Sequence, residues 1–263
     1  MSNYEFNGEK YSKASAHQNE WGSAMIAQLK INDYANILDL GCGDGRLTRT
    51  LAAHAENGNV VGIDASYGML DKAKEFSEPN LKFAHMDINQ IMFDNEFDII
   101  FSNAALHWVK DHSKLLKNCF RALKPGGRIR FNFACEGNCE TFFSTVKSLI
   151  RKKEYIQYFK DFVWPWYMPS VNEYEKLMAQ TDFSNIKIWE QPADRYFKNA
   201  EEITGWIDQP SIVPFLQKLN NEKVKIAFRD ETVDIMLRKS RQPDGTYFEK
   251  FVRINVEAEK PLK

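Results

Sequence analysis

Gly41, Gly43 and Gly45 stand at alternate positions, and Asp39 precedes the first of them by two residues. Glycines in such a run allow backbone conformations closed to other residues and let a ligand approach the main chain closely. A helical pattern follows at Leu47, Leu51 and Ala52, and the start of a helix offers unpaired N–H groups to a polar ligand. The dinucleotide fingerprint G-x-G-x-x-G needs its third glycine at position 46, which is Arg46 here. Asp39 would repel a pyrophosphate but can take up an ammonium, directly or through water, so the pattern favours a zwitterionic amino-acid tail. A second acid, Asp64, lies about twenty residues beyond the glycines, where nucleotide-binding α/β folds place a carboxylate that accepts both ribose hydroxyls. A third, Asp87, closes the next apolar run. Ligands of open α/β sheets sit outside the carboxyl ends of the strands, so three acids ending three successive runs outline one site. His107 is the best-placed proton acceptor if the reaction needs one.

The elements that must position these residues are short apolar runs at Ile37–Leu40, Asn59–Asp64, Leu81–Met86, Phe97–Asn103 and Arg128–Phe133, separated by helical patterns. Residues 36–133 therefore read as β-α-β-α-β-loop-β-α-β, which right-handed crossovers turn into a parallel sheet covered on both faces. Beyond Glu136 the spacing predicts helices over 141–159, 172–180 and 200–239, a returning strand at 186–189 and a last strand over 246–256. The expected fold class is α/β, a doubly wound, mostly parallel, seven-stranded sheet with a helical cap. It is read as a single domain, with the sheet in 30–135, 183–198 and 244–258 and the cap in about 136–180 and 200–243.

The run Leu38-Asp-Leu-Gly-Cys-Gly-Asp-Gly45 resembles the first motif of the class I S-adenosylmethionine-dependent methyltransferases, whose sheet is Rossmann-like, and the turn Leu123-Lys-Pro-Gly-Gly127 is similar to another of their hallmarks. The run Ser102-Asn-Ala-Ala-Leu-His-Trp-Val109 resembles the trans-aconitate methyltransferases and, less closely, the malonyl carrier-protein methyltransferases. Trp189-Glu190, Tyr196, Trp206-Ile207 and Pro214-Phe215-Leu216 extend the likeness to the trans-aconitate enzymes over most of the chain. The resemblance implies S-adenosylmethionine as cofactor, with S-adenosylhomocysteine as product. It assigns cofactor contacts to Tyr11, Asp39, Gly41, Cys42, Gly43, Gly45, Asp64, Ala65, Ser66, Met69, Asp87, Ile88 and Asn103. Of these, Tyr11 would close over the cofactor, and Asp87 and the Ile88 N–H would meet the adenine. It implies a substrate wall from Trp108, Trp166, Tyr167, Tyr196 and Trp206. One position departs: the arginine expected before Pro214 is Val213. That loss removes a partner for a polycarboxylate and suggests an acceptor with less negative charge; Arg195, Arg238 and Arg241 are candidates to replace it.

Composition sets the remaining bounds. The chain has 263 residues, 43% of them hydrophobic and 27% charged, as in an ordinary globular protein. A net charge of −1 supplies no general field for a polyanion, so nucleic acid is a poor partner. No apolar run approaches the ~18 residues of a membrane span and residues 1–10 lack a signal-peptide core, so a cytoplasmic protein is expected. Cys42, Cys119, Cys135 and Cys139 show no metal-ligand spacing and read as free thiols, and no metal is expected. The function expected is methyl transfer to a small molecule, favouring carboxyl O-methylation, by a monomer or dimer. An acyl-carrier-bound carboxylate, a hydroxyl or an amine is the alternative acceptor. A cofactor-binding protein without catalysis is the alternative from another class. Of these acceptors, a hydroxyl would require a base, for which His107 is the candidate.

Overall fold

The structure, a computed structural model, describes residues 16–76 and 78–262. Two compact units are present, one formed by residues 16–136, 166–191 and 253–262 and the other by 137–165 and 192–252.

The first unit holds a seven-stranded sheet in the order β3–β2–β1–β4–β5–β9–β6. Its strands are β1 (Asn36–Leu40), β2 (Asn59–Asp64), β3 (Leu81–His85), β4 (Phe97–Asn103), β5 (Leu123–Ala134), β6 (Ser184–Pro192) and β9 (Val252–Glu259). The first five pair in parallel, with Asp39 opposite Gly62 and Phe101, and Asp64 opposite His85. The ninth runs antiparallel to the fifth, with Arg253 opposite Ala134. Ile37, Leu38, Leu40, Ile100 and Phe101 are buried as near-continuous apolar runs, as expected of strands covered on both faces. Helices α1 (Ala16–Gln28) and α2 (Arg46–His54) close one face, where Met25, Ile26, Leu51 and Ala52 pack with Ile37, Val60, Ile99 and Phe101. On the other face, His112 of α4 (His112–Ala122) and Tyr174 of α6 (Val171–Met178) pack on Phe133. Helix starts agree with local chemistry. Ser66 caps α3 (Tyr67–Ala73), Asp111 caps α4, and Ser170 with Glu173 forms a capping box on α6.

The second unit contains α5 (Glu140–Leu149), α7 (Ala200–Trp206), α8 (Val213–Leu216), α9 (Glu222–Ser240) and a two-stranded ribbon of β7 (Arg195–Phe197) and β8 (Tyr247–Glu249). Its core is aromatic, with Phe142, Trp206, Phe215, Phe228 and Phe251 in ring contact. Cys139, in a left-handed conformation, gives α5 no side-chain cap. Glu249 supplies one from β8, accepting the N–H groups of Thr141 at 3.1 Å and Phe142 at 3.0 Å.

The sheet is the one expected, and several bounds differ. The helix expected over 141–159 ends at Leu149, and the strand expected over 246–256 is two strands, β8 and β9. Arg195–Phe197 pairs with β8 in the ribbon instead of joining the large sheet. Residues 166–180, expected in a cap, group with the sheet unit.

Candidate active site

The glycine turn leaves β1 and enters α2 with all three glycines at positive φ, 75° at Gly41, 55° at Gly43 and 80° at Gly45. The N–H groups of Gly41 and Cys42 both donate to the Ile63 carbonyl, at 2.8 and 3.0 Å, tying the turn to the end of β2. The spacing has a steric cause as well. A Cβ at Gly41 would lie 2.2 Å from the Cβ of Ala105, so the loop after β4 presses directly on the turn. A Cβ at Gly45 would lie 2.7 Å from Phe83 and 2.9 Å from Ala73.

Asp39, Asp64 and Asp87 lie at the carboxyl ends of three adjacent strands. Asp39 is 2% exposed and accepts Thr48 Oγ1–H at 2.7 Å. Burial raises its carboxyl to about 7; the Thr48 hydrogen bond acts downward and the charge of Asp64 upward. Asp64 accepts the N–H of Gly43 through one oxygen and that of Ser66 through the other, both at 2.9 Å, so its carboxylate is aimed by backbone. Asp87 caps the single turn Ile88–Gln90 and accepts both the N–H and the side-chain amide of Asn89, at 2.9 Å each. Ile88 and Met69 are buried, and Met69 Cε lies 3.0 Å from where a Gly43 Cβ would be. The Ala65 carbonyl accepts His85 Nε2–H at 2.9 Å, and the His85 ring stacks on Tyr67 at 3.7 Å. Cys42 is buried, and burial together with Asp64 and Asp39 pushes its thiol well up, so it stays protonated. Asn103 ends β4, buried, and is followed by Ala104 at φ 61°, a left-handed turn for a residue with a Cβ. The Ala104 N–H donates to the Asn132 carbonyl at 2.8 Å, which secures that turn. Tyr11 lies outside the described residues.

The turn delivers His107, on the short helix Leu106–Trp108. His107, Trp108, Trp166 and Tyr167 come together. The Tyr167 N–H donates to the His107 carbonyl at 2.8 Å, and the Trp108 and Trp166 rings are 5.2 Å apart. Nδ1 of His107 is sealed from solvent with no hydrogen-bond partner among the described residues. Burial, then the positive charge of Arg253 and the proximity of His112, pushes this imidazole down to about 3. Tyr196 and Trp206 fall instead in the second unit. Tyr196 lies on the ribbon, 64% exposed against Phe248, and Trp206 inside the aromatic core. Of the arginines expected to replace the missing one, Arg195 lies over Phe197, and Arg238 and Arg241 are exposed at the end of α9.

One cation was not read from the sequence. Arg253 on β9 is 4% exposed, donates from Nε to Asn132 Oδ1 at 2.7 Å and from Nη2 to the Asn132 carbonyl at 3.2 Å, and lies 5.1 Å from the Trp21 ring. Among the described residues no group of three His, Cys, Asp or Glu side chains is placed to hold a metal, and no helix is long and apolar enough to cross a membrane.

A methyltransferase-domain family model matches residues 38–131. The trans-aconitate 2-methyltransferase of Enterobacter sp. (strain 638) is 24% identical over 226 residues, covering 86% of each chain. That of Mycobacterium tuberculosis (strain ATCC 25177 / H37Ra) is 28% identical over 231 residues, 86% of this chain and 85% of its own. The fold is that of the YcgJ protein of Bacillus subtilis, with a TM-score of 0.62 at 17% identity over 92% of this chain and 99% of that one. The chain is a class I S-adenosylmethionine-dependent methyltransferase. It resembles the trans-aconitate methyltransferases along most of its length. The methyltransferase match spans the glycine turn, all three acids and the loop carrying His107.

Proposed function

We propose that this methyltransferase transfers a methyl group to a carboxylate oxygen of a small acid in the cytoplasm. When bound, S-adenosylmethionine supplies an electrophilic methyl on a sulfonium; the carboxylate provides the new C–O electron pair, the C–S pair returns to sulfur, and no proton is lost. The residues at the carboxyl edge fit that cofactor. Asp39 would hold its ammonium, the Gly41–Gly45 backbone its amino-acid tail, Asp64 its ribose, and Asp87 with the Ile88 N–H its adenine. A buried carboxylate raised to about 7 beside a glycine turn is a group in want of a cation.

The observation that carries the acceptor is the state of His107. A general base works best with a pKa near the working pH. An imidazole pushed down to about 3 accepts a proton poorly, and the guanidinium that helps depress it favours an anion beside it. A carboxylate is ionised near neutral pH and needs orientation instead of deprotonation. His107 then acts as a neutral hydrogen-bonding group, and Trp108, Trp166 and Tyr167 wall the acceptor and keep water out. The relatives named for trans-aconitate support an acid acceptor, while Val213 argues for one of lower charge. The test is transfer of labelled methyl to small acids, acyl-carrier thioesters with a free carboxylate, phenols and amines. Label base-labile as a methyl ester on a small acid supports the reading, and label confined to phenols or amines overturns it.

A further inference from the structure

His85 closes β3 directly opposite Asp64, the last residue of β2. The Met86 N–H still pairs with the Asp64 carbonyl, at 3.0 Å. From there the chain turns through Ala65 and Ser66 into α3. A backbone carbonyl that leaves a ladder in this way must find its donor elsewhere. That of Ala65 finds it in a side chain, accepting His85 Nε2–H at 2.9 Å. A carbonyl only accepts, so the proton of this imidazole sits on Nε2.

The same ring meets the other side of the turn. Tyr67, the first residue of α3, lies flat on His85, with ring centroids 3.7 Å apart and planes within 8°. His85 therefore holds residues 65 and 67, and Ser66 lies between them. The Ser66 N–H donates to Asp64 Oδ1 at 2.9 Å, and the Ser66 hydroxyl caps α3 by accepting the Met69 N–H at 3.4 Å. The second oxygen of Asp64 takes the Gly43 N–H at 2.9 Å. One oxygen is thus aimed by the glycine turn and the other by the turn that His85 and Tyr67 grip. Both rings are exposed, Tyr67 to 58%, so the pair adds little to the hydrophobic core. What its geometry fixes is the turn.

We propose that His85 and Tyr67 form a positioning clamp for the cofactor, holding residues 65–67 so that Ser66 keeps Asp64 aimed at the two ribose hydroxyls. The inference rests on Asp64 as the ribose acceptor proposed above. Neither ring has to touch the cofactor. A carboxylate that accepts two hydroxyls at once works over a narrow range of orientation, and the groups that lock it set how much of its binding is realised. With the clamp released, Asp64 keeps its charge and loses its aim, so the loss falls on the ribose contacts.

The test crosses a protein change with a ligand change, titrating S-adenosylhomocysteine and its 2′,3′-dideoxy analogue by calorimetry. The wild type should bind the dideoxy analogue about 30-fold more weakly, within the scale of hydrogen bonds to a charged group. His85→Ala should weaken S-adenosylhomocysteine about tenfold and the dideoxy analogue less than about twofold, because a misaimed carboxylate penalises only a ligand that carries the hydroxyls. Tyr67→Ala should weaken S-adenosylhomocysteine about threefold, the scale of one aromatic contact. The double variant should bind no more weakly than His85→Ala, since one clamp can be lost only once. Tyr67→Phe keeps the stack and should match the wild type. His85→Gln keeps an N–H for the Ala65 carbonyl and should recover part of the loss. Melting transitions establish that each variant is folded. Equal weakening of both ligands, or unchanged affinity in folded His85→Ala, overturns the clamp and leaves Asp64 as ribose acceptor standing. If His85→Ala fails to fold, Tyr67→Ala on the two ligands decides by the same rule. A wild type that binds the dideoxy analogue as tightly as S-adenosylhomocysteine overturns the ribose assignment and the clamp with it.

Discussion

Thr48 Oγ1–H donates to Asp39 Oδ2 at 2.7 Å, joining the first turn of α2 to the end of β1 beneath the glycine turn. The bond orients a carboxylate that burial has raised to about 7, so near neutral pH the free protein holds Asp39 about half protonated. The ammonium that Asp39 is proposed to hold requires the ionised form, so binding there would expel a proton.

The first prediction follows from that linkage. S-adenosylhomocysteine should bind about tenfold more weakly at pH 6 than at pH 8, because below a raised pKa each unit of pH adds a proton that must leave. Calorimetry in two buffers of different ionisation enthalpy at pH 7 should show proton release, and Asp39→Asn should abolish both effects. An affinity independent of pH would remove Asp39 from ammonium binding.

Asp64 is the second. Its two oxygens already accept the Gly43 and Ser66 N–H groups, so the carboxylate is oriented for the ribose it is proposed to hold. Asp64→Ala should weaken S-adenosylhomocysteine by about 1.5–3 kcal/mol, the scale of hydrogen bonds to a charged group. The variant should be shown folded by its melting transition before the titration is read; unchanged affinity in that folded protein would falsify the assignment.

Much of this edge was legible because strands and acids coincide locally: Asp39, Asp64 and Asp87 close consecutive apolar runs, and parallel topology then brings the three ends together. The end of the chain was harder. Tyr247, Phe248, Phe251 and Ile254 read as one alternating strand, yet the chain breaks at Lys250 and Phe251. Lys250 N–H is taken by Glu249 Oε1 at 3.1 Å and Phe251 N–H by Asp194 Oδ1 at 3.0 Å, and the second of these partners is remote in sequence. Arg253 was hidden by its own pattern. With Asn255 and Glu257 it marks every second position of β9, which reads as a solvent face. That strand lies between β5 and β6, however, and Arg253 and Asn255 are buried on that face. The usable signal was an arginine and an asparagine alternating with Val252, Ile254 and Val256.

Gly45 gives a stability prediction. Alanine there would hold a Cβ at φ 80° and bring it within 2.9 Å of Ala73 Cβ and 3.0 Å of its backbone Cα, an atom that cannot rotate away. Left-handed strain costs ~1–2 kcal/mol and overpacking ~1–3 kcal/mol. Gly45→Ala should therefore lower unfolding free energy by about 2–4 kcal/mol, measured by denaturant titration. A loss below about 0.5 kcal/mol would show that the turn relaxes freely.

Glu249 predicts the response of the helical unit to pH. Burial raises it from 4.5 to about 7 against four hydrogen bonds that act downward. An acid raised on folding binds more protons in the folded state, so its contribution to stability is present below about pH 4.5 and is lost as pH rises through about 7. The wild type should lose up to about 3 kcal/mol from this group between pH 4.5 and pH 8, and Glu249→Gln should remove that part of the slope. Melting both proteins at pH 5 and pH 8 checks the sign; an identical shift in the two would exclude Glu249 as its source.

His107 offers the test of the proposed acceptor chemistry. Its imidazole, lowered to about 3 from an ordinary 6.5, does not change charge across the neutral range. Turnover on a carboxylic acceptor should therefore be flat between about pH 6.5 and 8.5, where the carboxylate is ionised throughout. His107→Gln keeps a hydrogen-bonding amide and should lower the rate by less than about tenfold while leaving the profile flat. A base-catalysed reaction behaves differently. Turnover would rise with the ionisation of the histidine, and the glutamine variant would lose that rise together with ~10²–10⁴ in rate. The two profiles, measured on the acceptor that the transfer screen identifies, cannot agree. A rise with pH that disappears in His107→Gln would mean that the imidazole takes a proton from the acceptor, and that the methyl goes to a hydroxyl or an amine instead of a carboxylate.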